Sequence, residues 1–347
     1  MHKYLLLRSL TIILSAFLII PEQLTAQDLE RYSFRSFHMG TQFSVVLYAE
    51  DESIAKMASD AAFERVEVLN GIMSDYIEES ELNTLSQTSG SSKAVKVSDE
   101  LFEVLYTAKQ ISENTNGFFD VTIGPMTRAW RAKRMMPEPQ LPDAAELEEL
   151  MSRVGFRYMI LNEDSKTVQL EKENMRLDLG GIAKGYAAEE AVRVIQSFGI
   201  RSVLVDAGGD ITLGDAPPGR DSWDVAVPKI RRDPSAEHIR LRLSDKTVTT
   251  SGDMFQYIEI DGVRYSHIIN PKTGIGSTDR FQATVISSNG MYADAFASAL
   301  TLMNPEDGIA LINRIEETEA IIFQNTGEEI LEWKSKGFNR YAQSAEH

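Results

Sequence analysis

The sequence predicts an α+β fold in which antiparallel or mixed sheets carry packed helices. Three observations lead there. Segments with strand-like alternation mostly neighbour one another. A few long amphipathic helices separate the groups, and the regular strand–helix alternation of a doubly wound parallel sheet is absent. Neither a fixed-period repeat nor a Pro/Gly/Ser-rich linker divides the chain, so one intimate unit is expected after the N-terminal segment.

Taken in order, Met1 to Ala26 reads as an export signal, either cleaved or retained as an N-terminal anchor. Lys3 and Arg8 give a basic start, Leu10 to Ile20 is an uncharged apolar run, and Leu24-Thr25-Ala26 is an acceptable cleavage site. The body, residues 27–347, is then exported and periplasmic or periplasm-facing. The chain has no cysteine, which removes disulfides, thiolate catalysis, cysteine-based metal sites and a lipoprotein anchor together.

Tyr32–Phe37 and Gln42–Tyr48 alternate as half-buried strands joined around His38-Met39-Gly40-Thr41. From Asp51 to Ile72 the apolar period becomes helical, with Asp51 or Ser53 able to cap the start. Ser98–Asn114 is a second amphipathic helix, capped by Ser98 and ended by Asn116-Gly117. Phe118–Pro125 reads as extended, the Pro-rich basic stretch Arg131–Pro142 as an exposed mobile loop, and Ala144–Val154 as an acidic surface helix.

Tyr158–Leu161 and Thr167–Leu170 form a hairpin pattern. Next, Leu177-Asp178-Leu179-Gly180-Gly181 leads from an apolar run through glycines into a helix that ends at Gly199. Such a corner lets a ligand approach the backbone, through glycines free to take positive φ, and offers helix N–H groups to an anion. It is neither a Walker A loop nor a Rossmann fingerprint, and the same pattern also suits a tight strand-to-helix turn with no ligand. A strand at Ser202–Asp206 enters a second acidic glycine turn, Asp206–Asp210. Strands follow at Trp223–Val227, His238–Leu243, Thr247–Ser251, Phe255–Ile260 and Gln282–Ser287, with Asp261-Gly262 as a hairpin turn. Helices at Met291–Leu302 and Pro305–Arg314 and a hairpin of Ala320–Phe323 with Glu329–Trp333 close the chain.

At net charge −17 the chain repels nucleic acid and anionic nucleotides, so an anion must be held by a divalent cation or a helix N-terminus. Asp294 and Ser298 lie four apart near a helix start and face one side, a hard-oxygen pair suited to Mg²⁺. The same spacing also suits a plain N-cap with a small-residue packing face. His267 precedes the turn Asn270-Pro271-Lys272-Thr273-Gly274 and is the natural general base in a chain without cysteine, although a lone histidine is more often structural. Asp178, Asp206, Asp210 and Asp253 sit at strand ends beside glycines, as either ligand contacts or turn residues.

Met39-Gly40-Thr41, Met73–Tyr76 with Ser80–Asn83, Gly117–Pro125, Leu177–Ala188, Asp206–Asp210, Thr250–Asp253, Ser266–Gly274 and Ala293–Ser298, in this order, resemble the flavin transferases of the ApbE type, the FAD:protein FMN transferases. The resemblance spans nearly all of the mature chain. It implies a T-fold-like catalytic unit that binds FAD with Mg²⁺ on the pyrophosphate. FMN then passes to a threonine or serine hydroxyl of an exported acceptor flavoprotein, such as a subunit of a sodium-pumping or electron-transfer complex, and AMP leaves. It further implies metal contacts at Gly181, Asp294 and Ser298. Flavin-nucleotide contacts fall on Met39, Tyr76, Asp120, Val121, Thr122, Asp178, Lys184 and Ile269, and His267 is the base. Ser298 stands where the family usually has threonine, and Asn270 where it often has aspartate. Two other readings use the same residues: hydrolysis of FAD to FMN and AMP, and non-catalytic FAD binding.

Overall fold

The computed structural model describes residues 29–230, 238–252 and 256–343. The expected signal at Met1–Ala26 and Asp253 lie outside the described residues.

Strands β1 (Glu30–His38) and β2 (Thr41–Ala49) pair along their full length. Their connection is a tight turn in which Met39 and Gly40 both take positive φ, the hairpin geometry that matches strand twist. Helix α1 (Glu52–Met73) starts on Asp51, whose carboxylate accepts the Ile54 N–H. Short α2 (Glu81–Ser86) and β3 (Val95–Lys96) lead to α3 (Asp99–Asn114), where the Ser98 hydroxyl accepts the Leu101 N–H. Asn116 and Gly117, both left-handed, end it as the sequence indicates.

The expectation of an extended Phe118–Pro125 followed by a loop from Arg131 is corrected here. Helix α4 spans Gly124–Arg134, with Pro125 in its first turn and Arg131, Lys133 and Arg134 in its last. Proline there fixes φ at a position whose N–H has no helical partner, and the basic residues oppose the negative helix end. The residues read as loop punctuation are helix-start and helix-end signals. Beyond them come α5 (Ala144–Ser152) and the hairpin of β4 (Met159–Asn162) and β5 (Thr167–Leu170).

Helix α6 (Ala183–Ser197) precedes β6 (Val203–Ala207), β7 (Asp210–Leu213), β8 (Trp223–Pro228), β9 (His238–Leu243) and β10 (Thr247–Gly252). A small hairpin of β11 (Tyr257–Ile260) and β12 (Val263–Ser266) comes before β13 (Phe281–Ser287). Helices α7 (Gly290–Leu300) and α8 (Pro305–Ile312) and strands β14 (Thr318–Asn325) and β15 (Ile330–Lys334) complete the described chain.

Eight strands form the main sheet in the order β1-β2-β6-β7-β10-β13-β14-β15. Its ladders are antiparallel, so the α+β expectation holds. One face buries Phe43, Val45, Val205, Ala283 and Val285 under α1, α3, α6 and α7. On the other, Val248, Ile286 and Phe323 pack with Trp223, Val225 and Leu241 of the β8–β9 hairpin. Arg65 of α1 bonds Glu190 of α6 and Glu100 of α3 across the helix layer, tying three helices by charge-assisted bonds. Among the described residues no helix is long and apolar enough to cross a membrane.

Candidate active site at the glycine corner

The corner forms where α6 and α7 approach each other. A Cβ on Gly185 would stand 2.0 Å from the Gly290 carbonyl oxygen, and one on Gly290 would stand 2.3 Å from that of Gly185. The two backbones touch, and only glycine permits it. This contact brings the start of α7 against the start of α6. Gly185→Ala is therefore expected to cost at least the upper end of the roughly 1–3 kcal/mol typical of overpacking, read as a lower urea midpoint. An unchanged midpoint would show that the helices can part freely.

Asp294 is buried, and its Oδ2 accepts the Gly185 N–H at 3.1 Å. Ser298 follows one turn later on α7. Its Oγ lies 3.3 Å from where a Gly181 Cβ would be and 3.3 Å from the Ser251 hydroxyl on β10. Gly181, Asp294 and Ser298 thus meet at one corner, and Ser251 joins them.

Two expectations about this corner change. Gly180 and Gly181 are not among the positive-φ residues. What they supply is room: a Gly180 Cβ would lie 3.0 Å from Asp178 Oδ1, and a Gly181 Cβ 3.4 Å from the Phe119 ring. Nor is the start of α6 a set of free N–H donors. Ile182 and Ala183 donate to the Leu179 carbonyl, and Gly185 donates to Asp294. The anion at this helix start is the protein's own carboxylate, brought in from α7. Positive φ is used instead in the second turn, at Gly208 and Gly209, where Gly209 N–H donates to Asp206.

Lys184 forms an ion pair with the buried Asp210. Burial pulls the Lys184 ammonium down, but Asp210 and Asp294 outweigh it and hold it above its ordinary value. Burial, then Asp210, push the Asp294 carboxyl well above the usual carboxylate range, against Lys184 and the Gly185 N–H. Two carboxylates here face one ammonium. A hard cation would relieve that imbalance, and the corner offers it oxygen atoms only: carboxylate, hydroxyl and backbone carbonyl. Among the described residues no three His, Cys, Asp or Glu side chains converge as a metal cluster. Much of a cation's shell would therefore come from a ligand or water.

The other expected contacts divide into two groups. Asp178 accepts Gly180 N–H at 2.8 Å and the Arg131 guanidinium at 2.7 Å. Arg131 also binds Asp75 and lies 4.3 Å over the exposed Tyr76 ring. Burial and the neighbouring Asp178 raise the Asp75 carboxyl, and Arg131 opposes them. Arg131 is thus the bridge between the Tyr76 arm and the corner. Sequence reading missed it by assigning it to a loop. Met39 packs against the main core, and Thr41, two residues on, lies against the corner's second turn at Gly208.

Asp120, Val121 and Thr122 run alongside the corner, with the Val121 carbonyl accepting the Asp178 N–H. Their side chains are committed internally. Asp120 accepts from Thr122 and from the Phe156 N–H, and Thr122 Oγ1 accepts the Gly155 N–H. Ile269 is buried among Met126, Trp130, Ile258 and Ile260.

His267 is exposed just past β12. Its Nδ1 lies 2.9 Å from the Gln256 carbonyl, which only accepts, so the neutral ring carries its proton on Nδ1 and its lone pair on Nε2. The turn after it is fixed to the site's own helix: Trp130 Nε1 of α4 donates to the Gly274 carbonyl at 2.9 Å. Lys272 caps the Phe118 ring at 3.8 Å, next to Phe119 at the corner.

Comparison with known proteins shows what the chain as a whole is similar to. The FAD:protein FMN transferase of Klebsiella pneumoniae (strain 342) is 28% identical over 86% of this chain and 91% of its own length. That of Vibrio cholerae serotype O1 is 29% identical over 87% and 90%. Among solved structures, the flavin transferase ApbE from Vibrio cholerae superposes with a TM-score of 0.81 at 28% identity, covering 90% of this chain and 99% of that one. The ApbE protein of Thermotoga maritima gives 0.80 at 26%, covering 91% and 100%. The model of the ApbE family matches residues 39–322, from the Met39 turn to the middle of β14 and across every element of the corner, and the chain belongs to that family.

Proposed function

We infer that the protein is an FAD:protein FMN transferase that uses Mg²⁺ to move FMN from FAD onto a threonine or serine hydroxyl of an exported flavoprotein, releasing AMP. Family membership and the activity carried by its relatives' names support the transferase. The observation that carries the metal-assisted reading is the meeting of Asp294, Ser298 and Gly181 at one oxygen-lined corner. When bound, a Mg²⁺ ion there neutralises phosphate charge and stabilises the leaving AMP.

The chain's own residues supply the rest. Asp294 and Ser298 present oxygens from a rigid helix face, and the bare Gly181 backbone lets a diphosphate come close. Arg131 holds Asp178 and Tyr76 in register, so that the exposed Tyr76 ring can cover a flavin. His267, with its lone pair on Nε2, takes the proton from the incoming hydroxyl. The bond formed joins that oxygen to the FMN phosphorus, and the bond broken is the one from that phosphorus to the AMP oxygen.

Mass spectrometry of exported acceptors incubated with FAD and Mg²⁺ tests this. A gain of one FMN is expected. AMP formed equally fast without any acceptor would favour FAD hydrolysis instead. Residues 1–26 are the export signal in this reading, which leaves residues 27–347 as the transferase unit. The protein recovered from the periplasm should then begin at Gln27, and retention of Met1 there would overturn the cleavage.

A further inference from the structure

One helix face is out of keeping with the rest of this acidic chain. Arg128, Arg131 and Arg134 recur at three-residue spacing along α4 and so share a side. The central Arg131 is consumed by Asp75 and Asp178. Arg128 and Arg134 are exposed, and neither they nor Arg176 has a carboxylate partner among the described residues. Arg176 runs beside α4, bridged to Ile123, two residues before Asp178. Burial and then the charge of Arg128 lower its guanidinium below the ordinary value, so two cations face each other there.

Fold stability does not explain this face. Arg128 lies in the first half of α4, where the helix dipole gives a cation no benefit, and pairing it with Arg176 is repulsive. A chain with 52 acidic residues has ample carboxylates to neutralise both, yet none of the described ones pairs with either. At the far end of the stripe Met135 is 87% exposed and Met136 51%, and Tyr76, under the Arg131 guanidinium, is exposed as well. Pliable apolar side chains next to fixed charge suit a polypeptide ligand.

We propose that the Arg128–Arg134 face of α4, with Arg176, is the docking surface for an acidic segment of the acceptor polypeptide, close to the hydroxyl that receives FMN. This inference rests on the transferase reading above. Charge complementarity selects the occupant. A nucleic acid would meet a protein at −17, whereas a short acidic segment meets only this local positive stripe. The face adjoins the corner through Arg131, so a chain lying along α4 is delivered to Asp178 and the Tyr76 arm.

The test uses the full mature chain and two fluorescein-labelled peptides. Each carries one threonine, flanked either by Asp and Glu or by Asn and Gln. At low salt and with FAD present, the acidic peptide is expected to bind about tenfold more tightly, and added salt should erase the difference. Arg128→Glu with Arg176→Glu should abolish the preference, and Arg128→Gln with Arg176→Gln should weaken it. FAD affinity, followed by flavin fluorescence, should stay within about twofold in both. Equal binding of the two peptides by the unmodified protein overturns the proposal, as does a preference that survives both variant pairs. Transfer itself is read separately as the FMN mass gain on an acceptor protein. Its absence in the unmodified protein would sink the transferase reading and leave the peptide result to stand by itself.

Discussion

Replacing Asp294 by alanine is expected to abolish FMN transfer while leaving the protein folded. The loss of activity follows from place: Asp294 is the one carboxylate one helical turn from Ser298 that also touches the corner backbone at Gly185. Without it, a hard cation keeps only the Ser298 and Ser251 hydroxyls and a backbone carbonyl among the corner's described residues. The fold should survive because two effects oppose each other. The Gly185 N–H loses its acceptor, which costs about 1–3 kcal/mol for a buried donor. Against that, a buried carboxylate raised by desolvation and by Asp210 is removed, and Lys184 keeps Asp210 as its partner. Intact mass of a co-expressed acceptor reads the activity, and thermal melting with and without Mg²⁺ reads the site. The unmodified protein should melt higher with Mg²⁺, and the variant should not respond. Normal flavinylation by Asp294→Ala would rule out the metal assignment.

The second large effect is expected at His267. Alanine there should slow transfer by roughly 10²–10⁴-fold, the usual contribution of a general base. FAD affinity should be retained. The structural reason is the hydrogen bond from Nδ1 to the Gln256 carbonyl, which fixes the ring and leaves Nε2 as the basic nitrogen. The imidazole is also carried on a segment separate from the corner, docked through Gly274 and Lys272, so its removal need not disturb Asp294 or Ser298. Single-turnover rates beside flavin titrations separate the two quantities. A parallel loss of affinity and rate would make His267 a binding residue instead.

Much of this molecule was legible in its sequence because local signals and tertiary roles coincide. Asp51 and Ser98 were expected as caps and are caps. The alternation of Phe43, Val45 and Leu47 marks the buried face of β2. The four-residue spacing puts Asp294 and Ser298 on one side of α7, whereas their meeting with Gly181 was implied by the family resemblance alone. What was not legible depends on contacts far apart in the chain. The reason for glycine at 185 is Gly290, 105 positions away, and no local pattern announces it. Arg131 reads as loop because it opens a basic, proline-containing stretch, whereas it lies in the last turn of the helix that Pro125 opens. The filling of the α6 N-terminus by Asp294 could not be read either, since helix-end donors look alike in sequence whether or not a distant side chain takes them.

The backbone-to-backbone contact of Gly185 and Gly290 has a consequence for how this enzyme can be tuned. With no side chain between them, α6 and α7 have no cushion to absorb a shift, so the carboxylate and hydroxyl of α7 are held at a fixed spacing from the start of α6. Adaptation to new clients is then confined to parts that do not bear on that spacing, namely the face of α4, the Tyr76 arm and the His267 turn. Engineering for altered protein targets belongs on those outlying parts, while a graft that pries the two helices apart would disable the chemistry for every target alike.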